Sequence, residues 1–484
     1  MHTRALINAK TRRCALAVLI PMLALPAAAQ AVPDILKDPL GVNPDRLKTG
    51  AMLPDGSLVA SQDSVDLSQP LALGSAIDVA LCNNPQIRSA WASIKIQSGA
   101  LGEARAAYLP TVKASVSRLA TRNSYSALSG STDSSQTGNQ LYGTLNWRLL
   151  DFGGRRAGNK AASQLLVAAL AAHDASLQKT MSGVIQAYFD AMTAQSNFIA
   201  RKKMAAIAES ILAATKRRED RGVAPLSDTL QAATALAKAR LNEARAQGDF
   251  NRSLSLLVHA MGLAPGASLC LPQTLEMYRA DEVRELNSWL LEAEEKHPAI
   301  RQARAKLAAD KAKITVVRSE GLPSLDATAY ISMNGYPNQG LSSVNQSVKA
   351  AGVTLNLPIF EGFGRTYKIR GAQAQAEQSQ AQLQDTTNQI LTEVVKAHAD
   401  AMTSSGTLKA SDRLMAAAAQ GLQSSLRRYE RHVADILEVL NSQSSLADAE
   451  QERIRAVAEW RSARLRLLAN SGLLGRADLA QERP

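Results

Sequence analysis

Asn84-Pro85-Gln86-Ile87-Arg88-Ser89-Ala90 returns as His297-Pro298-Ala299-Ile300-Arg301-Gln302-Ala303, an offset of 213 (298 − 85). The same offset carries Arg105 onto Arg318 and Leu109-Pro110 onto Leu322-Pro323. Leu145-Asn146 recurs as Leu355-Asn356 and Gly154-Arg155 as Gly364-Arg365, with the offset now 210 (364 − 154). That register carries Val184 onto Val394 and Asp190-Ala191-Met192-Thr193 onto Asp400-Ala401-Met402-Thr403. It also carries Arg217-Arg218 onto Arg427-Arg428 and Gly262 onto Gly472. The chain is therefore a tandem duplication of a unit of about 200 residues, too long a period for a solenoid, so each copy is a module with its own anatomy. The three residues lost between the offsets fall between Pro110 and Leu145, where a loop is expected.

Composition argues against an ordinary globule. The 484 residues are rich in Ala, Gln, Leu, Arg and Ser, and aromatics make up only 4%. Such sequences form long helices packed through small residues. At the N-terminus, Arg4, Lys10, Arg12 and Arg13 precede an apolar run from Cys14 to Leu25 and the small residues Ala27-Ala28-Ala29. This predicts a secretory signal peptide over residues 1–29. Removing it lowers the formal charge from +12 to +8, since four basic and no acidic residues leave with it. A basic excess dispersed along the helices of an exported protein does not point to nucleic acid. Two cysteines remain, Cys82 and Cys270, a candidate disulfide in an oxidising compartment; two buried thiols are the alternative.

Within a repeat the period changes. Leu73, Ile77, Ala80-Leu81, Ile87, Ala90, Ile94 and Leu101 follow a helical spacing that Pro110 ends. Val112, Ala114 and Val116 then alternate with Lys113, Ser115 and Ser117. After a polar stretch containing Ser129-Gly130-Ser131 and Gly138, alternation resumes through Leu141, Gly143, Leu145, Trp147 and Leu149. This predicts a hairpin with a long polar loop. The second copy matches with Leu325, Ala327, Ala329 and Ile331, a loop from Asn334 to Gln346, then Ala351, Val353, Leu355, Leu357 and Ile359. A Pro-free stretch follows from Gly154 to about Arg221 and again from Gly364 to about Arg431, roughly 100 Å each if helical throughout. Gly222-Val223-Ala224-Pro225 breaks the first, with Ser227 placed to cap a return helix that runs to Gly262.

The expected domains are a signal peptide (1–29), an extended segment (30–70), a first repeat (71–265, hairpin 109–151), a linker (266–285), a second repeat (286–475, hairpin 323–360) and a tail (476–484). A rod of that length must bury its stripe against other subunits, and open strand edges are not tolerated in a membrane. Four strands per chain close only when several chains contribute. Three chains give twelve strands, an even number suited to an outer-membrane barrel.

On these residues the chain resembles the TolC family of outer-membrane export channels. The resemblance rests on Asn84-Pro85 and His297-Pro298, on the Leu-Pro helix ends, and on the duplicated strand-to-helix segments. Those segments are Leu145-Asn146-Trp147-Arg148-Leu149-Leu150-Asp151-Phe152-Gly153-Gly154-Arg155 and Leu355-Asn356-Leu357-Pro358-Ile359-Phe360-Glu361-Gly362. It extends to the tip Arg218, Gly222, Ser227-Asp228 and Leu230-Gln231-Ala232, and covers about residues 70 to 475. It implies a mainly helical, internally duplicated fold whose homotrimer builds a long α-helical barrel and a 12-stranded transmembrane β-barrel. The implied partners are a periplasmic adaptor (membrane fusion protein), an inner-membrane ABC or other pump, and outer-membrane lipid. Alignment on the tip places a periplasmic entrance at Glu438 and Asn441, with Asp228 and Gln231 as first-copy equivalents. Asn441 departs from an acidic pair. Arg217, Arg218, Arg221 and Gly222, with Arg427, Arg428 and Arg431, are candidates for holding the tips closed or touching the adaptor. His432 stands where the first tip has Gly222.

The type I secretion branch, exporting an RTX-type toxin, is the specific expectation. Small-molecule efflux is the alternative within the family, and a periplasmic coiled-coil adaptor without a pore the alternative outside it. No enzyme, catalytic residue, metal site or cofactor is expected. Asp151-Phe152-Gly153 spells a kinase magnesium motif without the other kinase elements, and the histidines lack ligand spacing.

Overall fold

A computed structural model of the chain describes residues 38–42, 69–127, 130–272, 284–334, 346–431 and 433–475. The expected signal peptide, most of the 30–70 segment, most of the linker, the 476–484 tail and His432 lie outside these residues. Residues 38–41 form a bend and turn, and the unit from Val42 to Pro484 holds the helices and strands. The first repeat comprises α1 (Leu73–Asn83), α2 (Pro85–Ala106), β1 (Thr111–Ala127), β2 (Gly130–Leu150), α3 (Gly154–Asp220) and α4 (Leu226–Ala260). The second comprises α5 (Leu286–Lys296), α6 (Pro298–Ser319), β3 (Ser324–Asn334), β4 (Gln346–Asn356), α7 (Gly364–Glu430) and α8 (Ile436–Asn470). Both α3 and α7 are unbroken at 67 residues.

The motif Asn-Pro/His-Pro breaks the short helix from the next one in each repeat. Pro85 and Pro298 open α2 and α6, where a missing N–H costs nothing. Asn84 Oδ1 accepts the Gln86 N–H at 2.8 Å, and His297 Nδ1 accepts the Ala299 N–H at 3.2 Å. The end of the return helix seats on this break. Gly262 (φ +69°) and Gly472 (φ +73°) close α4 and α8, and a Cβ on Gly472 would lie 2.9 Å from the Pro298 ring.

His297 caps only while neutral, and burial lowers its pKa from 6.5 to about 4. Between these values the unfolded chain binds a proton that the folded chain refuses. This stabilisation is therefore present above pH 6.5 and is lost as pH falls toward 4, about 3 kcal/mol in all. His297→Asn, the residue of the first copy, is expected to flatten the fall in melting temperature between pH 7 and 4.5. An unchanged pH slope in that variant would show that His297 is not its source.

The four strands form one meander in the order β1-β2-β3-β4, so β2–β3 joins the repeats while β1 and β4 remain edges. The expected long polar loop of the first hairpin is not a loop. β1 and β2 stay paired from Thr111↔Asn146 to Ala127↔Gly130. The Ser/Thr run is written for the backbone ladder, which needs no apolar side chains, and β-branched Thr suits it. In the second hairpin the register runs from Ser324↔Asn356 to Asn334↔Gln346, and residues 335–345 lie outside the described ones. β4 stops at Asn356, short of the expected 360, because Pro358 brings no donor to a ladder.

Two further expectations are corrected. Pro225, not Ser227, occupies the N-cap of α4, its fixed φ delivering the chain into the helix two residues earlier. Cys82 and Cys270 form no disulfide. Cys270 pairs with Pro70 at the start of α1, Leu71 N donating to its carbonyl at 2.8 Å. Cys82 lies at the other end of that helix, roughly 15 Å away and beyond bridging distance.

The two rods are covered unequally. α3 packs against α1, α2 and α4 of its own repeat and against α6 and α8 of the next. It buries 22 residues, whereas α7 buries 10. α7 packs mainly against α5, α6 and α8 and touches α3 at the tip, because no third repeat follows it.

Candidate functional site

Strand alternation sorts the sheet into two chemistries. Residues directly opposite in register share a face. One face carries Val112, Leu145, Ala329 and Ala351 in one row and Val116, Leu141 and Met333 in another, with Trp147, Ala327 and Val353 nearer the helices. The other carries Thr111, Asn146 and Thr328, then Lys113, Thr144 and Tyr330, then Ser115, Tyr142 and Ser332. Val112 and Val116 are more than 70% exposed. No helix among the described residues is long and apolar enough to cross a membrane.

The strand-to-helix junctions hold two consecutive left-handed residues each. In the first, Phe152 (φ 50°) precedes Gly153 (φ 97°); in the second, Gly362 (φ 58°) precedes Phe363 (φ 63°). A phenylalanine in this region costs about 1–2 kcal/mol, so the turn is held by its surroundings. Asp151 Oδ2 accepts the Arg155 N–H at 2.6 Å, and Arg155 donates to the carbonyls of Arg148 (2.6 Å) and Leu149 (3.0 Å). Arg148 in turn meets Asp326 at 2.9 Å across β2–β3. This is the structural role of the Asp-Phe-Gly motif. Phe152, Ile359, Phe360, Phe363 and Tyr367 are all exposed around the junctions.

At the far end of the rods, α3 and α7 stop in matching turns, with Val223 N donating to Arg218 O at 3.0 Å and Val433 N to Arg428 O at 2.9 Å. Beneath them Met204, Ile211, Ala232, Leu422, Ile436 and Val439 form one core shared by both hairpins. Arg218 crosses between repeats. Its Nη1 donates to Tyr429 O at 2.8 Å, and its guanidinium lies 4.3 Å from the Tyr429 ring centroid. The ring is buried, and among the described residues its hydroxyl has no hydrogen-bond partner. The repeat mate of Arg218 behaves differently: Arg428 pairs with Glu438 at 2.7 Å within its own hairpin. Burial, and then the nearby Asp435 carboxylate, raise the Asp228 pKa against the pull of Arg218.

Of the residues singled out in sequence, the structure gathers Arg218 with Asp228, and Arg428 with Glu438. Gln231 is half-buried beside them in α4, while Asn441 faces outward from α8. Arg217, Arg221, Gly222, Arg427 and Arg431 are exposed on the tip surface, together with Val223 and Val433. Tyr429 and Asp435 were not found by sequence. Their signal was a break in the duplication, since Tyr429 replaces Glu219 and Asp435 replaces Pro225 at the 210 offset. Among the described residues, no group of three His, Cys, Asp or Glu could hold a metal ion.

The outer membrane efflux protein family model matches residues 76–263 and 289–473, one match per repeat. Protein CyaE of Bordetella pertussis is 35% identical over 420 residues, covering 87% of this chain and 88% of that protein. Alkaline protease secretion protein AprF of Pseudomonas aeruginosa is 25% identical over 311 residues, 62% of this chain and 63% of its own. Among solved structures, outer membrane protein VceC of Vibrio cholerae superposes with a TM-score of 0.73 at 20% identity, covering 83% of this chain and 96% of that one.

Proposed function

The chain belongs to the outer membrane efflux protein family, and from that premise we propose that three copies close into a passive exit duct. In this reading the meanders join as a 12-stranded barrel in the outer membrane, and the rods form a tunnel extending into the periplasm. The observation that carries it is a reciprocal mismatch between repeats. α7 exposes Leu414 (50%) and Met402 (58%) where α3 buries their mates Met204 (4%) and Met192 (1%). α4 exposes Leu226 (58%) where α8 buries its mate Ile436 (0%). One end of the molecule thus lacks the partner that the other end offers, a head-to-tail arrangement that closes as a ring. β4 and β1 are the same unmatched pair within the sheet. Two copies would give eight strands, whose interior side chains fill, so three is the smallest ring that leaves a lumen.

The exposed tips, with Val223 and Val433 among arginines, are the surface for a periplasmic adaptor that links the duct to an inner-membrane pump. For cargo we favour a protein over a small molecule. Type I secretion of an RTX-type toxin is supported by the similarity to CyaE and to a relative named for protease secretion. Small-molecule efflux is the second reading, supported by the family description itself. Unheated protein in detergent should migrate as a trimer and insert into planar bilayers as discrete conducting channels. Deleting the gene should remove a protein from culture supernatants without changing sensitivity to small toxic compounds. The opposite pattern would select efflux, and a non-conducting monomer would end the duct.

A further inference from the structure

From the register of the sheet we infer that each seam between copies carries a cation pair that binds the phosphate of an anionic lipid headgroup. The inference rests on the barrel closure above. The apolar face of β1 runs Val112, Ala114, Val116 and then Arg118, Ala120 and Arg122, since alternate residues share a side. On the same face β4 runs Leu355, Val353, Ala351 and then Lys349, which is in register with Ile331 and so with Gly143 and Ala114. The apolar rows therefore end in cations on both edge strands, and Arg118, Arg122 and Lys349 are exposed. The inner strands offer none there: beyond Leu141, β2 has Asn139, Thr137 and Ser135, and β3 ends with Met333-Asn334.

Within one chain β1 and β4 lie at opposite edges of the sheet. They become neighbours only where one copy meets the next. Closure then sets Lys349 of one copy and Arg118 of the next on adjacent strands, facing outward at the end of the lipid-facing band. A guanidinium and an ammonium at that boundary suit a headgroup phosphate, with the acyl chains lying on Val112, Val116 and Val353. The site needs two copies to exist.

The test compares wild type, Arg118→Gln/Lys349→Gln, and Lys113→Gln, whose lysine is on the polar face. Each is reconstituted in nanodiscs of phosphatidylglycerol or phosphatidylcholine, and retained lipid is counted by native mass spectrometry. Wild-type trimers should retain phosphatidylglycerol, with affinity falling roughly thirty-fold in the double variant, equivalent to about 1 kcal/mol for each cation. Lys113→Gln should match wild type, and millimolar inorganic phosphate should not displace the lipid. Equal retention in the double variant, loss in Lys113→Gln, or displacement by free phosphate would each overturn the site. All variants should remain trimeric in phosphatidylcholine. Absence of trimers in every sample would instead overturn the barrel closure.

Discussion

Leu414→Lys is expected to abolish the trimer while leaving the monomer folded. Leu414 is half exposed in the single chain, so a lysine there meets water and the fold tolerates it. Its repeat mate Met204 shows the same position once covered: it is 4% exposed, and its carbonyl accepts from Gln443 of α8 at 3.2 Å across the repeat boundary. Closing the ring would place the ammonium in that apolar setting, where it must lose its proton or its solvation. A pKa depressed by about three units costs about 4 kcal/mol at each of three seams. The check is size-exclusion chromatography with light scattering in detergent, alongside circular dichroism. Loss of the trimer with helical signal retained is the expected result. Met204→Lys should unfold the chain itself, since that site is already covered within one copy. A Leu414→Lys trimer as heat-resistant as wild type would refute the assigned interface.

Arg218→Ala is expected to loosen the tip and raise channel conductance. Arg218 ties the end of α3 to the end of α7 through a charged hydrogen bond and a stacked ring, together worth roughly 2–4 kcal/mol in a half-buried setting. If these contacts hold the tips together, their loss should raise the open fraction in planar bilayers at least tenfold. It should also raise the Asp228 pKa further, because Arg218, with the Ser227 hydroxyl, pulls it down. Arg428→Ala should do much less, since Arg428 and Glu438 are a solvent-exposed pair. Tyr429→Phe should change little, its hydroxyl having no hydrogen-bond partner among the described residues. Unaltered conductance in Arg218→Ala would remove the tip contact from any role in closure.

Much of the architecture was legible because duplication prints it twice. Asn84-Pro85 and His297-Pro298, Gly262 and Gly472, and the two Pro-free rods all announced themselves by recurrence and became breaks, seats and helices. What escaped had physical reasons. The Ser-rich run after Arg122 reads as loop because hydropathy reports burial, whereas a ladder is sealed by backbone hydrogen bonds. Ser227 looked like a cap because propensity cannot weigh it against Pro225 two residues earlier. The cysteine pair looked like a staple because spacing in sequence says nothing about the ends of an intervening helix. At the tip, sequence supplied the arginines but not their partners. Tyr429 and Asp435 matter because they break the repeat, and attention trained on repetition passes over departures from it.

The head-to-tail ends of the molecule carry a genetic corollary. In a mutual, two-fold contact a damaged surface is silent until it meets its own kind. If three copies close head to tail as proposed, every subunit presents one donor end and one acceptor end, so a single copy with a spoiled end breaks any circle it joins. Equal co-expression of such an allele with the normal gene would leave roughly one assembly in eight intact. Defects at α7 or at β4 should therefore be inherited as dominant, whereas defects that prevent folding altogether should be recessive.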